Sequence, residues 1–325
     1  MIASITITDS REQEIEGALA SVVAHVDRVI VVDTGVKDET IERARRVAQD
    51  KLIVVEHEWV DFAAARNFGL ETAMRSGAEW GVIVDTDERL DLGAVQLKAV
   101  LRKTKAEALL IESVNLEYSK PKIVRLRKGV RFYGPTHEAL LALSQETLRG
   151  AMFDELPKTD ARFKAKCERD VALLLPFIDE HPNDPRWWYY LGTSYEGLGQ
   201  LRSAANAFSR CVQLRRVGPE AAWSAYKEAE QLLALDRPVE AAVAAARGVG
   251  ADATSAECAY LAAKAALEMG RKDQAVAWAR IAEAVGRYKG CGTDRQYFRH
   301  LPALYELPYT ILRSALPASG ERAEA

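Results

Sequence analysis

The rhythm of apolar and polar positions changes half-way along the chain. Up to about residue 127, short apolar runs alternate with amphipathic stretches. Ile2–Thr8 predicts a strand, after which Ile15, Ala18, Leu19, Val22 and Val23 fall on one helical face. Residues 29–32 are apolar throughout, as befits a central parallel strand covered on both faces. A helix bearing Ile41, Ala44 and Val47 follows, then a strand at residues 52–55. Asp61 is placed to cap a helix reaching about Arg75. Residues 80–84 predict the fourth strand and, after the stretch 92–103, residues 108–115 and 122–126 predict two more. Strands and helices alternating at this spacing predict an α/β domain with a mostly parallel, Rossmann-like sheet.

From about Lys158 the pattern becomes helix after helix. Trp188, Leu191, Gly192, Tyr195, Ala204 and Phe208 sit at the spacings of a tetratricopeptide repeat. Small Gly192 and Ala204 suit the close approach of two helices, with Trp188, Tyr195 and Phe208 filling the space beside them. Looser copies follow at Trp223, Ala241 and Ala245, and at Ala263, Ala266, Ala275 and Ala279. Ala204, Ala241 and Ala275 are 37 and 34 residues apart, near the period of that repeat. Three helical hairpins suffice for a continuous core. The expected organisation is an α/β domain over residues 1–155, an all-α repeat domain over 156–318 and a frayed tail over 319–325.

Composition adds exclusions. With 44 basic and 47 acidic residues, the net charge of −3 rules out a wholesale basic coat for nucleic acid. Charge is uneven, however. Residues 98–131 hold ten basic and three acidic side chains. Within them Lys120, Lys122, Arg125, Arg127, Lys128 and Arg131 read either as solvated edge lysines or as a rim attracting anions. Cys167, Cys211, Cys258 and Cys291 show no C-x-x-C spacing, which predicts buried thiols in a reduced compartment. The first residues carry no signal-peptide pattern, and no apolar run is long enough to span a membrane, so a cytoplasmic chain is expected.

The candidate chemistry sits where strands end in aspartate. One run closes on Asp33-Thr34-Gly35 and another on Asp85-Thr86-Asp87-Glu88. Ligands of open α/β sheets bind beyond the carboxyl ends of the strands. In extended chain Asp85 and Asp87 point to the same side. One then suits a divalent cation and the other a sugar hydroxyl. The plainer alternative is that Asp33 caps a turn and Asp87 and Glu88 solvate a loop. The Trp187–Tyr190 aromatic cluster reads as repeat core, not as a sugar platform.

Taken together, Ile30-Val31-Val32-Asp33-Thr34-Gly35, Asp38-Glu39-Thr40, Glu58 through Phe68 with its Ala65-Arg66-Asn67, and Val84-Asp85-Thr86-Asp87-Glu88 resemble glycosyltransferase family 2. More narrowly they resemble its branch in which a GT-A domain precedes tetratricopeptide-like repeats, a branch that includes bacterial peptide glycosyltransferases and many phage proteins. Phe132-Tyr133-Gly134-Pro135-Thr136-His137-Glu138 is similar to that branch's His-Glu segment, and Asp184 through Gly199 to its linker into the repeats. One departure stands out: Asp9-Ser10-Arg11 replaces the usual Lys-Asn-Glu after the first strand.

The resemblance implies an inverting, metal-dependent transfer of a sugar from a nucleotide-diphosphate donor, a UDP-sugar by the family's habit, with Mn²⁺ or Mg²⁺ as cofactor. It implies base contacts from Thr8, Ser10 and Asp33, a nucleotide-side arginine in Arg66, a ribose-side carboxylate in Asp85 and a metal-side one in Asp87. His137 is implied as a further metal or diphosphate ligand and Glu138 as the general base. A protein or peptide acceptor is the expectation. Hydroxymethylated bases of phage DNA, reached in a host cytoplasm, are the alternative that the basic block allows. A third reading is a non-catalytic repeat scaffold on a nucleotide-binding domain. Association into a homo-oligomer through the repeats is a further expectation.

Overall fold

A computed structural model describes residues 1–115, 118–287, 299–304 and 306–315. Cys291 and the expected tail lie outside the described residues. The chain divides into two compact units, Met1–Lys158 and Thr159–Ala325.

The strands of the first unit are β1 (Ile2–Thr8), β2 (Arg28–Asp33), β3 (Leu52–Glu56), β4 (Trp80–Ile83), β5 (Glu88–Asp91), β6 (Ala108–Ser113), β7 (Ser119–Arg125), β8 (Arg131–Tyr133), β9 (Ala139–Leu141) and β10 (Gln145–Glu155). Eight of them form one sheet in the order β3-β2-β1-β4-β7-β6-β10-β5, and β8 pairs with β9 apart from it. The β3-β2-β1-β4 block is parallel, with Thr8 opposite Asp33 and Ile5 opposite Ile83. β7 is antiparallel to β4 and β6, β5 is antiparallel to β10, and β10 is parallel to β6.

Four helices cover the sheet: α1 (Ile15–Ala20), α2 (Thr40–Ala48), α3 (Phe62–Arg75) and α4 (Leu97–Lys103). Strand alternation sorts the side chains between two faces. Ala3, Ile5, Ile30 and Val32 pack with Ala65, Leu70 and Ala73 of α3. Ile2, Val29, Val31 and Val82 pack with Ile15, Leu19, Ala44 and Leu101 of the other three helices. Asp61 caps α3, accepting from the Ala64 backbone N–H at 2.7 Å. Glycine at position 69 lets α3 lie close to the sheet, since a Cβ there would fall 2.6 Å from Ile5.

The helical unit runs α5 (Asp160–Glu180), α6 (Pro185–Gly197), α7 (Leu201–Arg215), α8 (Pro219–Ala234), α9 (Pro238–Ala251), α10 (Ala256–Glu268), α11 (Lys272–Arg287) and α12 (Glu306–Ala315). Ala204, Ala241 and Ala275 are each the fourth residue of the second helix in their hairpins and are fully buried. Gly192 faces Phe208 as expected, with a hypothetical Cβ 2.6 Å from its ring. The tryptophan buried along with Phe208 in the first hairpin is Trp187, however. Trp188 is half-buried, and its indole N–H donates to the Pro182 carbonyl. Cys167, Cys211 and Cys258 are buried, and the Cys258 thiol donates to the Ala222 carbonyl at 3.2 Å. Among the described residues no helix is long and apolar enough to cross a membrane.

Candidate active site

Because β1, β2 and β4 run parallel, Thr8, Asp33 and Asp85 all emerge at the same edge of the sheet. Asp33 caps the turn that follows it, its Oδ1 accepting from the Gly35 and Val36 backbone N–H groups. Gly35, at φ +119°, takes a backbone shape that other residues resist. The Thr8 carbonyl accepts from the backbone and hydroxyl of Thr34, and Ser10 Oγ accepts from the Lys37 N–H. The loops after β1 and β2 are thereby knitted together, with Ser10 exposed and Asp33 part-exposed on one rim and Thr8 buried beneath them, its hydroxyl donating to the Asp9 carbonyl.

The second cluster is held by α3. Asn67 binds both backbone groups of Phe132, donating to its carbonyl at 2.9 Å and accepting from its N–H at 2.8 Å. Phe62 N–H donates to the Pro135 carbonyl at 3.1 Å. These bonds seat the 132–138 segment against the first turns of α3. Arg66, one residue before Asn67, then bridges two carboxylates. Its Nη2 donates to Asp85 at 2.8 Å, and its Nε donates to Glu138. Arg66 also lies over the Phe132 ring, 5.5 Å from the centroid. His137, beside Glu138, adopts a left-handed φ of +49°.

Burial alone would raise the Asp85 carboxyl and lower the Arg66 guanidinium. The charges win at both. Arg66 first, then Lys122 and Lys120, hold Asp85 well below the usual carboxylate range. Asp85 and Glu138 in turn push Arg66 further up.

Lys120 and Lys122 enter from β7 and were read from sequence as exposed edge or rim cations. Lys122 is instead buried against Glu88, which is 1% exposed. Lys120 bridges Glu88, at 3.1 Å, and Glu155. Its field and hydrogen bond keep Glu155 below the ordinary range although burial opposes this. Glu88 therefore does not solvate a loop, as its charge had suggested. It compensates two lysines and accepts the Asp85 backbone N–H at 2.9 Å, fixing the chain at Asp85.

Asp87 departs from expectation too. Residues 85–88 form a turn, with Glu88 N–H donating to the Asp85 carbonyl, not an extended stretch. Asp85 and Asp87 accordingly meet different cations. Asp87 pairs with Lys158 at 2.8 Å, and its carbonyl accepts the Leu156 N–H. Among the described residues there is no group of three or more His, Cys, Asp and Glu side chains able to hold a metal ion by themselves.

The profile described as "Glycosyl transferase family 2" matches residues 5–142, a span that contains all the predicted site residues. Residues 5–142 are a family 2 glycosyltransferase domain. In this chain the family 2 domain is followed by tetratricopeptide-like repeats. A "TPR repeat-containing protein" of Synechococcus elongatus is 36% identical over 140 residues, covering 39% of this chain. The chain spans about a third, 33%, of that relative's length. Two solved structures have weaker similarity. The crystal structure of S. aureus TarS is 16% identical with a TM-score of 0.44, over 74% of this chain and 53% of that one. A crystal structure of MamA is 19% identical with a TM-score of 0.36, over 47% of this chain and 79% of its own.

The sequence reading missed Asn67, Lys120, Lys122, Glu88 and Lys158 as parts of this site. For Lys120 and Lys122 the clue is their alternation two apart on a strand otherwise closed by Ile123 and Val124. Placed on a central strand, both point to the same side and demand carboxylates.

Proposed function

We propose that the chain is an inverting glycosyltransferase that takes its sugar from a nucleotide-diphosphate donor. The observation that carries this reading is the Asp85–Arg66–Glu138 triad at the carboxyl edge of the parallel strands, inside the family 2 domain. Ser10 and Asp33 form the base-binding rim above Thr8, and Asp85 faces the ribose, oriented by Arg66. A UDP-sugar is the donor of first choice. An oxygen or nitrogen of the acceptor attacks the anomeric carbon from the face opposite the diphosphate. The bond from that carbon to the diphosphate oxygen breaks, and its electron pair leaves with the diphosphate. The acceptor's proton passes to Glu138. Arg66 occupies Oε1 of that carboxylate and orients it, so Oε2 is the oxygen assigned to the proton.

The donor set suits a hard cation only in part. Asp87, with His137 as a second ligand, leaves most of a cation's coordination sites to water and substrate. Mg²⁺ and Mn²⁺ are, however, commonly bound by one or two carboxylates together with substrate phosphates. Such an ion supplies positive charge for the departing diphosphate. Asp87 is the residue proposed to hold it, once its carboxylate is released from Lys158.

The helical repeats support a protein or peptide acceptor. The DNA alternative loses much of its basis, since Lys120, Lys122 and Arg127 are spent on internal carboxylates and Arg125 donates to the Thr104 carbonyl. A homo-oligomer formed through the repeats and a cytoplasmic setting complete the reading. Incubation with a panel of nucleotide sugars and candidate acceptors, followed by mass spectrometry, tests it. One sugar mass on a protein or peptide is expected, with the anomer inverted by NMR. A scaffold would instead retain a partner and turn over no donor. A DNA-modifying enzyme would bind DNA with an affinity falling steeply as salt rises.

A further inference from the structure

Asp87 carries the cation-side role in the proposed reaction, yet in the folded chain its carboxylate already holds a cation of the protein's own. Lys158 Nζ lies 2.8 Å from Asp87 Oδ2, with the two side chains 33% and 26% exposed. The pair is reinforced by the backbone. Leu156 N–H donates to the Asp87 carbonyl at 2.8 Å, which fixes the chain two residues before Lys158. Beyond that pin, only the lysine's flexible four-carbon stem has to move for the ammonium to change partner.

Charge arithmetic gives the exchange a direction. The site and its buried support hold five carboxylates (Asp85, Asp87, Glu88, Glu138 and Glu155) against four cations (Arg66, Lys120, Lys122 and Lys158). Arg66 bridges Asp85 and Glu138, and Lys120 bridges Glu88 and Glu155, so neither is spare. Lys122 is closed off against Glu88. Lys120 and Lys158 are the part-exposed members, and of the two Lys158 is the one paired with the carboxylate that the proposed reaction needs. A divalent ion outcompetes an ammonium for a carboxylate when phosphate oxygens join the same ion, and the displaced ammonium then faces a polyanion.

Resting on the cation-side reading of Asp87, we infer that Lys158 is an exchanging counter-ion. It neutralises Asp87 in the empty protein and transfers to the donor's diphosphate when a divalent cation takes that carboxylate. Lys158 thus acts as a positioning residue for the donor and keeps the empty site from being a bare anionic trap for metal.

The exchange makes two binding constants move in opposite directions, which a merely structural ion pair would not do. Calorimetry on the full chain measures Mn²⁺ alone, then UDP in saturating Mn²⁺, for the wild type, Lys158→Met, Lys158→Arg and Asp87→Asn. Lys158→Met removes the competitor and tightens Mn²⁺ alone by about two- to fivefold, the range of a part-exposed ion pair. It weakens UDP in the presence of Mn²⁺ by about tenfold or more, as expected for a lost charge-assisted hydrogen bond. Lys158→Arg keeps the charge and returns both constants toward the wild type. Unchanged constants in Lys158→Met, with Mn²⁺ affinity lost in Asp87→Asn, overturn the exchange and leave the cation-side reading standing. Tightened Mn²⁺ with undiminished UDP binding also overturns it, since the ammonium then makes no donor contact. Mn²⁺ affinity that survives Asp87→Asn removes the cation-side reading and the exchange with it.

Discussion

At the scale of single residues, Arg66 carries the most. It is nearly buried and is the shared partner of Asp85 and Glu138. Arg66→Ala would remove the shared partner of Asp85 and Glu138 and leave Asp85 only the fields of Lys122 and Lys120, a change that costs about 3–5 kcal/mol when a buried pair is broken. Urea unfolding monitored by circular dichroism checks that figure. Asp85 contributes a pH dependence of definite sign. Its folded-state carboxyl is held below the ordinary range, chiefly by Arg66 against the opposing pull of burial. A depressed acid stabilises the fold above its unfolded pKa, about 3.9, and loses that contribution as pH falls toward the folded value. The stability difference between wild type and Asp85→Asn should therefore be full at pH 6 and shrink steadily below about pH 4. Urea titrations across that range measure it, and a difference that stays constant contradicts the assignment. Asp85 was legible from its strand end, whereas Arg66 and Glu138 became candidates through the family resemblance of the Ala65-Arg66-Asn67 and His137-Glu138 segments. Their mutual bonding was not legible, and neither were the lysines. Glu88 and Lys122 are 34 residues apart, and the two-residue spacing of Lys120 and Lys122 becomes informative only once their strand is known to be central.

At the scale of elements, the parallel half of the sheet was the legible part. β1 spans the predicted Ile2–Thr8, and α3 begins directly after its predicted cap, Asp61. Apolar continuity and a local cap bond are short-range signals, which is why they read cleanly. β5 and β10 escaped. β5 holds Leu90 between charged residues, and only Leu148, Ala151 and Phe153 of β10 are buried along an eleven-residue strand with a register shift. β5 lies at the sheet edge, and β10 is mostly exposed, so neither alternates cleanly. In the repeats, reading Trp188 for Trp187 is one residue's error, about 100° of helical rotation. Gly192 offers a sharp test of the hairpin packing. Alanine there gains up to about 1 kcal/mol of helix propensity. It also drives a methyl group against the ring of Phe208, which is fully buried and has nowhere to swing. Overpacking costs about 1–3 kcal/mol and should win. Gly192→Ala is expected to lower the helical unit's melting temperature, and a raised one would mean that α6 and α7 are less closely packed.

At the scale of the whole molecule, a family 2 glycosyltransferase domain is joined to helical repeats, and the chemistry proposed for the first unit does not depend on how the second is used. What the sequence could not convey is the electrostatic state of the site. It reads as a row of free carboxylates, whereas folding pairs Asp85 and Glu138 with Arg66, Glu88 with Lys122 and Asp87 with Lys158. Incoming ligands must therefore exchange with existing partners, and affinity should depend jointly on nucleotide and metal. The most direct measurement is calorimetric titration of nucleoside diphosphates, UDP first, with and without Mn²⁺, into the full chain and into Asp87→Asn. Saturable binding of a nucleoside diphosphate that Mn²⁺ strengthens, and that Asp87→Asn reduces to the metal-free level, is the predicted result. No binding of any nucleoside diphosphate in either condition, or an Asp87→Asn chain that responds to Mn²⁺ as the wild type does, would contradict it.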